Sequence, residues 1–121
     1  MARILLADDD AAVRDVVRRA LQSEGHEIAI AQDGQEALDL LLATPSAFDL
    51  IVSDVHMPGI DGLTLGAKAI AAAPKIKIVL MTAYADGADK ASSLKPNLKT
   101  VLTKPLTLDQ IRTAIKAALA G

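Results

Sequence analysis

The sequence predicts an α/β domain: a single parallel sheet with helices on both faces. Three observations lead there. Five short apolar runs alternate with stretches of helical period, which is the pattern of βαβ units. The runs are apolar nearly throughout rather than at every second residue, as in parallel strands buried on both sides. The chain holds one Phe, one Tyr and no Trp, so Ala, Leu, Ile and Val must build the core, which suits a helix-covered sheet.

The elements follow in order. "RILLA" (3–7) is the first strand. In "AAVRDVVRRALQSEG" (11–25), Val13, Val16, Val17, Ala20 and Leu21 recur at helical spacing, and Gly25 ends the helix. "EIAIA" (27–31) is the second strand. "DGQEALDLLLA" (33–43) is a helix with Asp33 as N-cap and Pro45 shortly past its end. "DLIVS" (49–53) is a third strand, "DGLTLGAKAIAAA" (61–73) a helix closed by Pro74, and "IKIVLMT" (76–82) the fourth strand. In "AYADGADKASSLKPNLK" (83–99), Ala85, Ala88, Ala91 and Leu94 recur every third residue. Gly87, two serines and Pro96 oppose a regular helix there, so a short or irregular fourth helix is expected. "KTVLT" (99–103) is the fifth strand. "TLDQIRTAIKAALA" (107–120) is the final helix, capped by Thr107 with Asp109 and Gln110 close behind. Leu108, Ile111, Ala114, Ile115, Ala118 and Leu119 form its apolar face.

At 121 residues the chain matches one domain, whose usual size is about 100–150 residues. Without cysteine it has neither disulfides nor thiolate metal sites. Its start is too short and too acidic for a signal peptide, and no apolar stretch approaches the roughly 20 residues of a membrane span, so a cytoplasmic location is expected. Net charge is −2 and the longest like-charge block is Asp8–Asp10. That leaves no basic footprint for nucleic acid, and the scarcity of aromatics leaves no stacking platform.

In open parallel sheets the chemistry gathers beyond the carboxyl ends of the strands, near the switch point of strand order. After the first strand stand Asp8, Asp9 and Asp10; after the third, Asp54; the fourth ends on Thr82; the fifth on Thr103, Lys104 and Pro105. If strand order reverses beside the first strand, these ends share one shallow cleft. Clustered carboxylates repel unless a cation joins them, and oxygen-only ligands suit Mg²⁺. Lys104 supplies a point charge for a carboxylate or a phosphoryl oxygen, and Thr82 a donor hydroxyl. No His or Cys is placed as a nucleophile, which leaves Asp54 as the group that could attack phosphorus to form an acyl phosphate.

Each residue also has a plainer role. Asp10 reads as the cap of the first helix, Asp61 and Gly62 as turn chemistry, Met57 as core packing and His26 as surface. Lys104 alone is an ordinary surface lysine and Thr82 alone a strand-end β-former. Their order along the chain is the specific feature.

That order resembles the receiver domain of bacterial response regulators over the whole chain. The matching features are Asp8-Asp9 after the first strand, "D-x-x-M-P-G-x-D-G" from Asp54 to Gly62, Thr82-Ala83 after the fourth strand, and Lys104-Pro105 after the fifth. The resemblance implies a flavodoxin-like, CheY-like fold with sheet order 2-1-3-4-5 and five helices. It implies that Asp54 is the phosphoacceptor and that Asp8, Asp9, Asp54 and the backbone carbonyl of His56 hold Mg²⁺. It implies that Thr82 is the switch hydroxyl and that Lys104 contacts the phosphoryl oxygens, through a Lys104–Pro105 bond commonly cis in the family. The phosphodonor would be a histidine kinase or a histidine phosphotransferase.

Two departures stand out. Val101 occupies the family's aromatic switch position, three residues before the lysine, and Tyr84 is the nearest substitute. The stretch before the fifth strand carries "SSLKPNLK" in place of a Gly-Ala pair. Both fall on the usual output face, so order–disorder of residues 84–97 is the expected means of signalling. His56 and Tyr84 flank the family's path for the hydrolytic water, so slow self-dephosphorylation is expected. The chain ends with its last helix, which suggests a stand-alone receiver, monomeric or weakly dimeric, acting by protein contact. "MTAY", the degenerate fourth helix and "V-L-x-K-P" are similar to the CpdR type of single-domain receiver, which assists regulated proteolysis by an AAA+ protease. A phosphorelay shuttle and a motor-binding receiver are the alternatives. A flavin or mononucleotide binder is disfavoured because three aspartates occupy the place of a phosphate-cradling loop. A Mg²⁺-dependent phosphohydrolase is disfavoured because His56 stands where a second carboxylate is needed.

Overall fold

The computed structural model describes residues 2–83 and 91–120. Tyr84 and the alanines at 85 and 88, on which part of the fourth-helix expectation rests, lie outside the described residues. The strands are β1 (Arg3–Ala7), β2 (Glu27–Ala31), β3 (Leu50–Asp54), β4 (Lys77–Thr82) and β5 (Leu98–Thr103). They pair in parallel in the order β2-β1-β3-β4-β5. The α-helices among the described residues are α1 (Ala11–Ser23), α2 (Gly34–Ala43), α3 (Gly62–Ala72) and α4 (Leu108–Ala120). Short 3₁₀ turns lie at Pro45–Ala47 and Ala91–Leu94. The expected fourth helix is thus represented, where described, by a 3₁₀ turn. The reversal of order places β1 beside β3, so the ends of β1, β3, β4 and β5 are neighbours.

Local chemistry sets the boundaries. The Asp10 carboxylate accepts from the N–H groups of Ala12 (2.9 Å) and Val13 (3.4 Å), starting α1. Asp33 caps α2 through Glu36 N–H at 2.8 Å, and Asp61 caps α3 through Thr64 N–H at 2.7 Å. Thr107 and Gln110 form a reciprocal capping box at α4: Gln110 N–H donates to the hydroxyl at 3.1 Å, and Thr107 N–H to the amide oxygen at 2.9 Å. Gly25 leaves α1 at φ 84°, the left-handed region that closes a helix without a Cβ clash.

The core lies on both faces of the sheet. One side packs Leu6, Val52 and Met81 against Val17 and Leu21 of α1 and Ile111 and Ile115 of α4. The other packs Leu5 and Ile51 against Leu41 of α2 and Leu65 of α3, and Met57 joins it as expected. A smaller cluster joins Val55, Ile78, Leu80 and Leu94, with Val101 against it. Burial on both faces holds for β1, β3 and β4; the edge strands β2 and β5 are only partly covered. His26, expected at the surface, is only partly exposed. It is half-buried and its Nδ1 accepts from Ala2 N–H at 3.1 Å, tying the turn after α1 to the start of β1.

Among the described residues no helix is long and apolar enough to cross a membrane. A cavity of about 1140 Å³ forms an open groove at the amino ends of the strands, lined by Leu21, Phe48, Ile76 and Ile115 among others. It lies at the opposite end of the sheet from the residues singled out above.

Candidate functional site

Asp54 is the last residue of β3, in register with Met81 of β4, one position further inside the strand than the apolar pattern indicates. It is almost fully buried, and Asp8, one residue past β1, is fully buried. Such carboxylates need partners. Lys104, one residue past β5, supplies them: its Nζ donates to Asp8 Oδ2 at 2.9 Å and to Asp54 Oδ2 at 3.0 Å. The second oxygen of Asp8 accepts from Asp10 N–H at 2.8 Å, and that of Asp54 from His56 N–H at 3.2 Å.

Backbone contacts hold the frame. The Lys104 N–H donates to the Thr82 carbonyl at 2.8 Å, so the lysine and the hydroxyl residue at the end of β4 share one hydrogen bond. Thr82 is fully buried, in register with Thr103, while Ala83 beyond it is exposed. The Val55 N–H continues the β3–β4 ladder to Met81 O at 2.8 Å. Gly62 N–H closes the loop onto Val55 O at 2.8 Å, and a Cβ on Gly62 would stand 2.2 Å from the Asp54 carbonyl oxygen. Gly62 is therefore more than turn chemistry: only glycine lets α3 begin against the backbone of Asp54. The Lys104–Pro105 bond is cis. His56 is exposed two residues beyond Asp54. Val101 is half-buried and packs against the Val55–Leu94 cluster.

Oxygens of Asp8, Asp9 and Asp54 lie within 4.8 Å of one another. Burial is the largest influence on Asp8 and raises its carboxyl above the ordinary range; Asp10 N–H and Lys104 oppose this and the Asp54 charge adds to it. Burial pulls the Lys104 ammonium down, but hydrogen bonds and charge from Asp8 and Asp54 outweigh it and raise the group. Three carboxylates thus gather beside one ammonium, which bonds two of them, an excess of negative charge on oxygen donors alone. That donor set fits a hard divalent cation, whose octahedral shell with bonds of about 2.1 Å spaces its oxygens about 3–4 Å apart.

Two contacts at the site escape sequence patterns. The buried Ser53 hydroxyl donates to the Asp54 carbonyl at 2.9 Å. Arg14 Nη1 on α1 donates to the Asp8 carbonyl at 2.9 Å. A basic residue on the first turn of the helix after the acidic pair was the available signal for the second.

Comparison with known proteins agrees with this geometry. The family described as "Response regulator receiver domain" matches residues 4–116. The response regulator MprA of Mycolicibacterium vanbaalenii is 35% identical over 117 residues, covering 97% of this chain and 50% of MprA. The chain therefore spans about half the length of the curated relatives it matches. Among solved structures, the receiver domain of the hybrid histidine kinase CckA is 34% identical with a TM-score of 0.83, covering 97% of this chain and 98% of that one. The response regulator TrrA of Thermotoga maritima, solved in complex with Mg(2+)-BeF, is 33% identical with a TM-score of 0.84, covering 96% and 97%. The five-stranded order, the carboxylate cluster with its bridging lysine and these likenesses agree: the chain belongs to the response regulator receiver domain family of two-component signalling.

Proposed function

We propose that Asp54 is the phosphoacceptor of this receiver. A histidine kinase or histidine phosphotransferase is the donor. The observation that carries the reading is the position of Lys104, bonded at once to Asp8 Oδ2 and Asp54 Oδ2. Of the two carboxylates so bonded, Asp54 ends the central strand and keeps a little exposure, while Asp8 is fully buried. An Asp54 oxygen forms the new P–O bond as the P–N bond of a phosphohistidine breaks, and the imidazole leaves with the bonding electrons. Lys104 moves from the Asp54 oxygen to a phosphoryl oxygen, keeping its contact with Asp8. The Thr82 hydroxyl donates to another phosphoryl oxygen, and its backbone tie to Lys104 makes the two movements dependent. Asp8, Asp9, Asp54 and the His56 carbonyl would hold Mg²⁺, which when bound neutralises charge on the carboxylates and the transferring group.

Output is by contact with a downstream protein. The absence of an aromatic at Val101 and the 3₁₀ turn at Ala91–Leu94 support a surface around β5 and residues 91–97 that reports the phosphorylation state. Similarity to the CpdR type supports an AAA+ protease as that partner, with His56 slowing hydrolysis. The test is incubation with a small acyl-phosphate donor and Mg²⁺. One hydroxylamine-sensitive phosphoryl group is expected, lost in Asp54→Ala; labelling that persists in the variant overturns the assignment.

A further inference from the structure

Asp8 and Asp9 are held in different ways. The Asp8 carboxylate has Asp10 N–H and Lys104 on its oxygens, and its own N–H donates to Ala31 O at 3.3 Å. Asp9 is exposed, and among the described residues no group donates to its carboxylate. Only the backbone can aim Asp9 at the cluster. The peptide that does so runs from Asp8 to Asp9, and its carbonyl is the one that Arg14 Nη1 grips at 2.9 Å. Arg14 is itself fixed: it is half-buried in the first turn of α1, and its N–H donates to Asp10 O at 3.0 Å. Among the described residues its guanidinium forms no ion pair, although three carboxylates gather nearby. Its cationic head is spent on a backbone oxygen.

We propose that Arg14 is a positioning residue: by clamping the Asp8 carbonyl it orients the Asp8–Asp9 peptide and so aims the Asp9 carboxylate at the cation held with Asp8 and Asp54. The inference rests on the reading of that cluster as a Mg²⁺ site. Its physical content is that geometry outweighs charge. A cation beside a Mg²⁺ site repels the metal, so a purely electrostatic Arg14 weakens binding and its removal tightens it. A clamp does the opposite, because groups that orient metal ligands are worth about 10–100-fold in metal affinity.

The experiment is calorimetric titration of the full chain with MgCl₂, without phosphodonor, for wild type, Arg14→Met, Arg14→Lys and Asp9→Asn. Arg14→Met should raise the Kd at least about tenfold. Arg14→Lys, which keeps a donor able to reach the carbonyl, should recover most of that loss. In the Asp9→Asn background, Arg14→Met should have little further effect, since the clamp acts through Asp9. Thermal melts in EDTA check the fold of each variant, and Arg14→Lys carries the test if Arg14→Met does not fold. Unchanged or tighter Mg²⁺ binding in Arg14→Met, or a full effect persisting in Asp9→Asn, overturns the clamp and leaves the metal site standing. Wild type that binds no Mg²⁺ overturns both.

Discussion

Lys104 Nζ stands 3.0 Å from Asp54 Oδ2, a contact between residues 50 apart in sequence that joins the ends of β3 and β5 across β4. With the second bond to the fully buried Asp8, it is the ammonium's half of a nearly enclosed ion cluster. Breaking such a cluster from the cationic side leaves two carboxylates uncompensated. Lys104→Met should therefore lower stability in EDTA by about 1.5–3 kcal/mol, the range for hydrogen bonds to charged groups. Added Mg²⁺ should shrink the deficit, because it replaces the missing charge. Urea melts with and without the cation check both; a deficit unaffected by Mg²⁺ would show that Lys104 acts through packing alone.

The two perturbed groups give stability the same pH slope in separate windows. Burial raises Asp8 above its ordinary 3.8, so the native state holds that proton more tightly than the unfolded chain. Stability then falls as pH rises from 3.8 through the raised value, and the cost of the buried charge stays in full above it. Lys104 is lowered by burial but raised overall from 10.5 by its carboxylates. Its contribution is complete below 10.5 and is lost as pH rises through the raised value. In EDTA, Asp8→Asn should remove the acidic slope, raise stability near neutrality, and abolish stabilisation by Mg²⁺. Lys104→Met should flatten the alkaline slope. Urea midpoints measured across pH for the three proteins distinguish the windows.

Gly62 and Gly59 separate close approach from backbone conformation. A Cβ at 62 meets the Asp54 carbonyl at 2.2 Å and Val55 Cα at 2.9 Å, both backbone atoms of the site. A Cβ at 59 meets nothing within 4 Å, but φ is +76°. Gly59→Ala should cost only about 1–2 kcal/mol, the strain of a left-handed residue. Gly62→Ala should cost about 3 kcal/mol or more, the upper end for overpacked sites, and should impair phosphorylation by displacing Asp54. Denaturant melts beside acyl-phosphate labelling rank the two.

The parts of this site that were legible in the sequence are those carried by strand ends. Asp8, Asp54, Thr82 and Lys104 each sit where an apolar run stops, and parallel order alone brings such ends together. Caps at Asp10, Asp33 and Thr107 were legible because the donor lies within three residues; Asp61, read as turn chemistry, proved to be a cap as well. Contacts to distant backbone were not. Arg14 grips a carbonyl, His26 accepts an N–H from residue 2, and Gly62 abuts residue 54; beyond the basic residue type at 14, no side-chain pattern marks such partners. The edge strands looked fully buried because an apolar run does not reveal which strands lie at the rim.

Asn97 shows how the described residues just before β5 are pinned. Its side-chain NH₂ donates to Pro74 O and Ile76 O, both at 2.8 Å, and its carbonyl accepts from Ile78 N–H at 2.9 Å. Asn97→Asp would set a carboxylate against two carbonyl oxygens and lose both donors. A loss of about 2–3 kcal/mol is expected, more than for Asn97→Ala, because an unpaired acceptor is worse than none. The order of the two variants in a urea series is the check.

Leu94 is the other anchor, and it depends on the absence of a side chain. It is only 2% exposed and lies in a notch on α3, where a Cβ on Gly66 would come within 2.8 Å of its Cδ1. Val55, the residue after Asp54, belongs to the same cluster, and Val101 packs on it. The neighbour of the proposed phosphoacceptor and the segment proposed to report its state thus share one small core. Gly66→Ala gains helix propensity of about 1 kcal/mol but crowds Leu94, an effect of about 1–3 kcal/mol. Global stability should change little, while amide exchange at 94–97 quickens. Leu94→Ala empties the notch and should cost about 2–5 kcal/mol. The double variant should then be more stable than the sum of the singles by about 1 kcal/mol or more, because the added methyl fills the space that leucine vacates. Strict additivity would mean that α3 and the turn before β5 are not coupled through this contact.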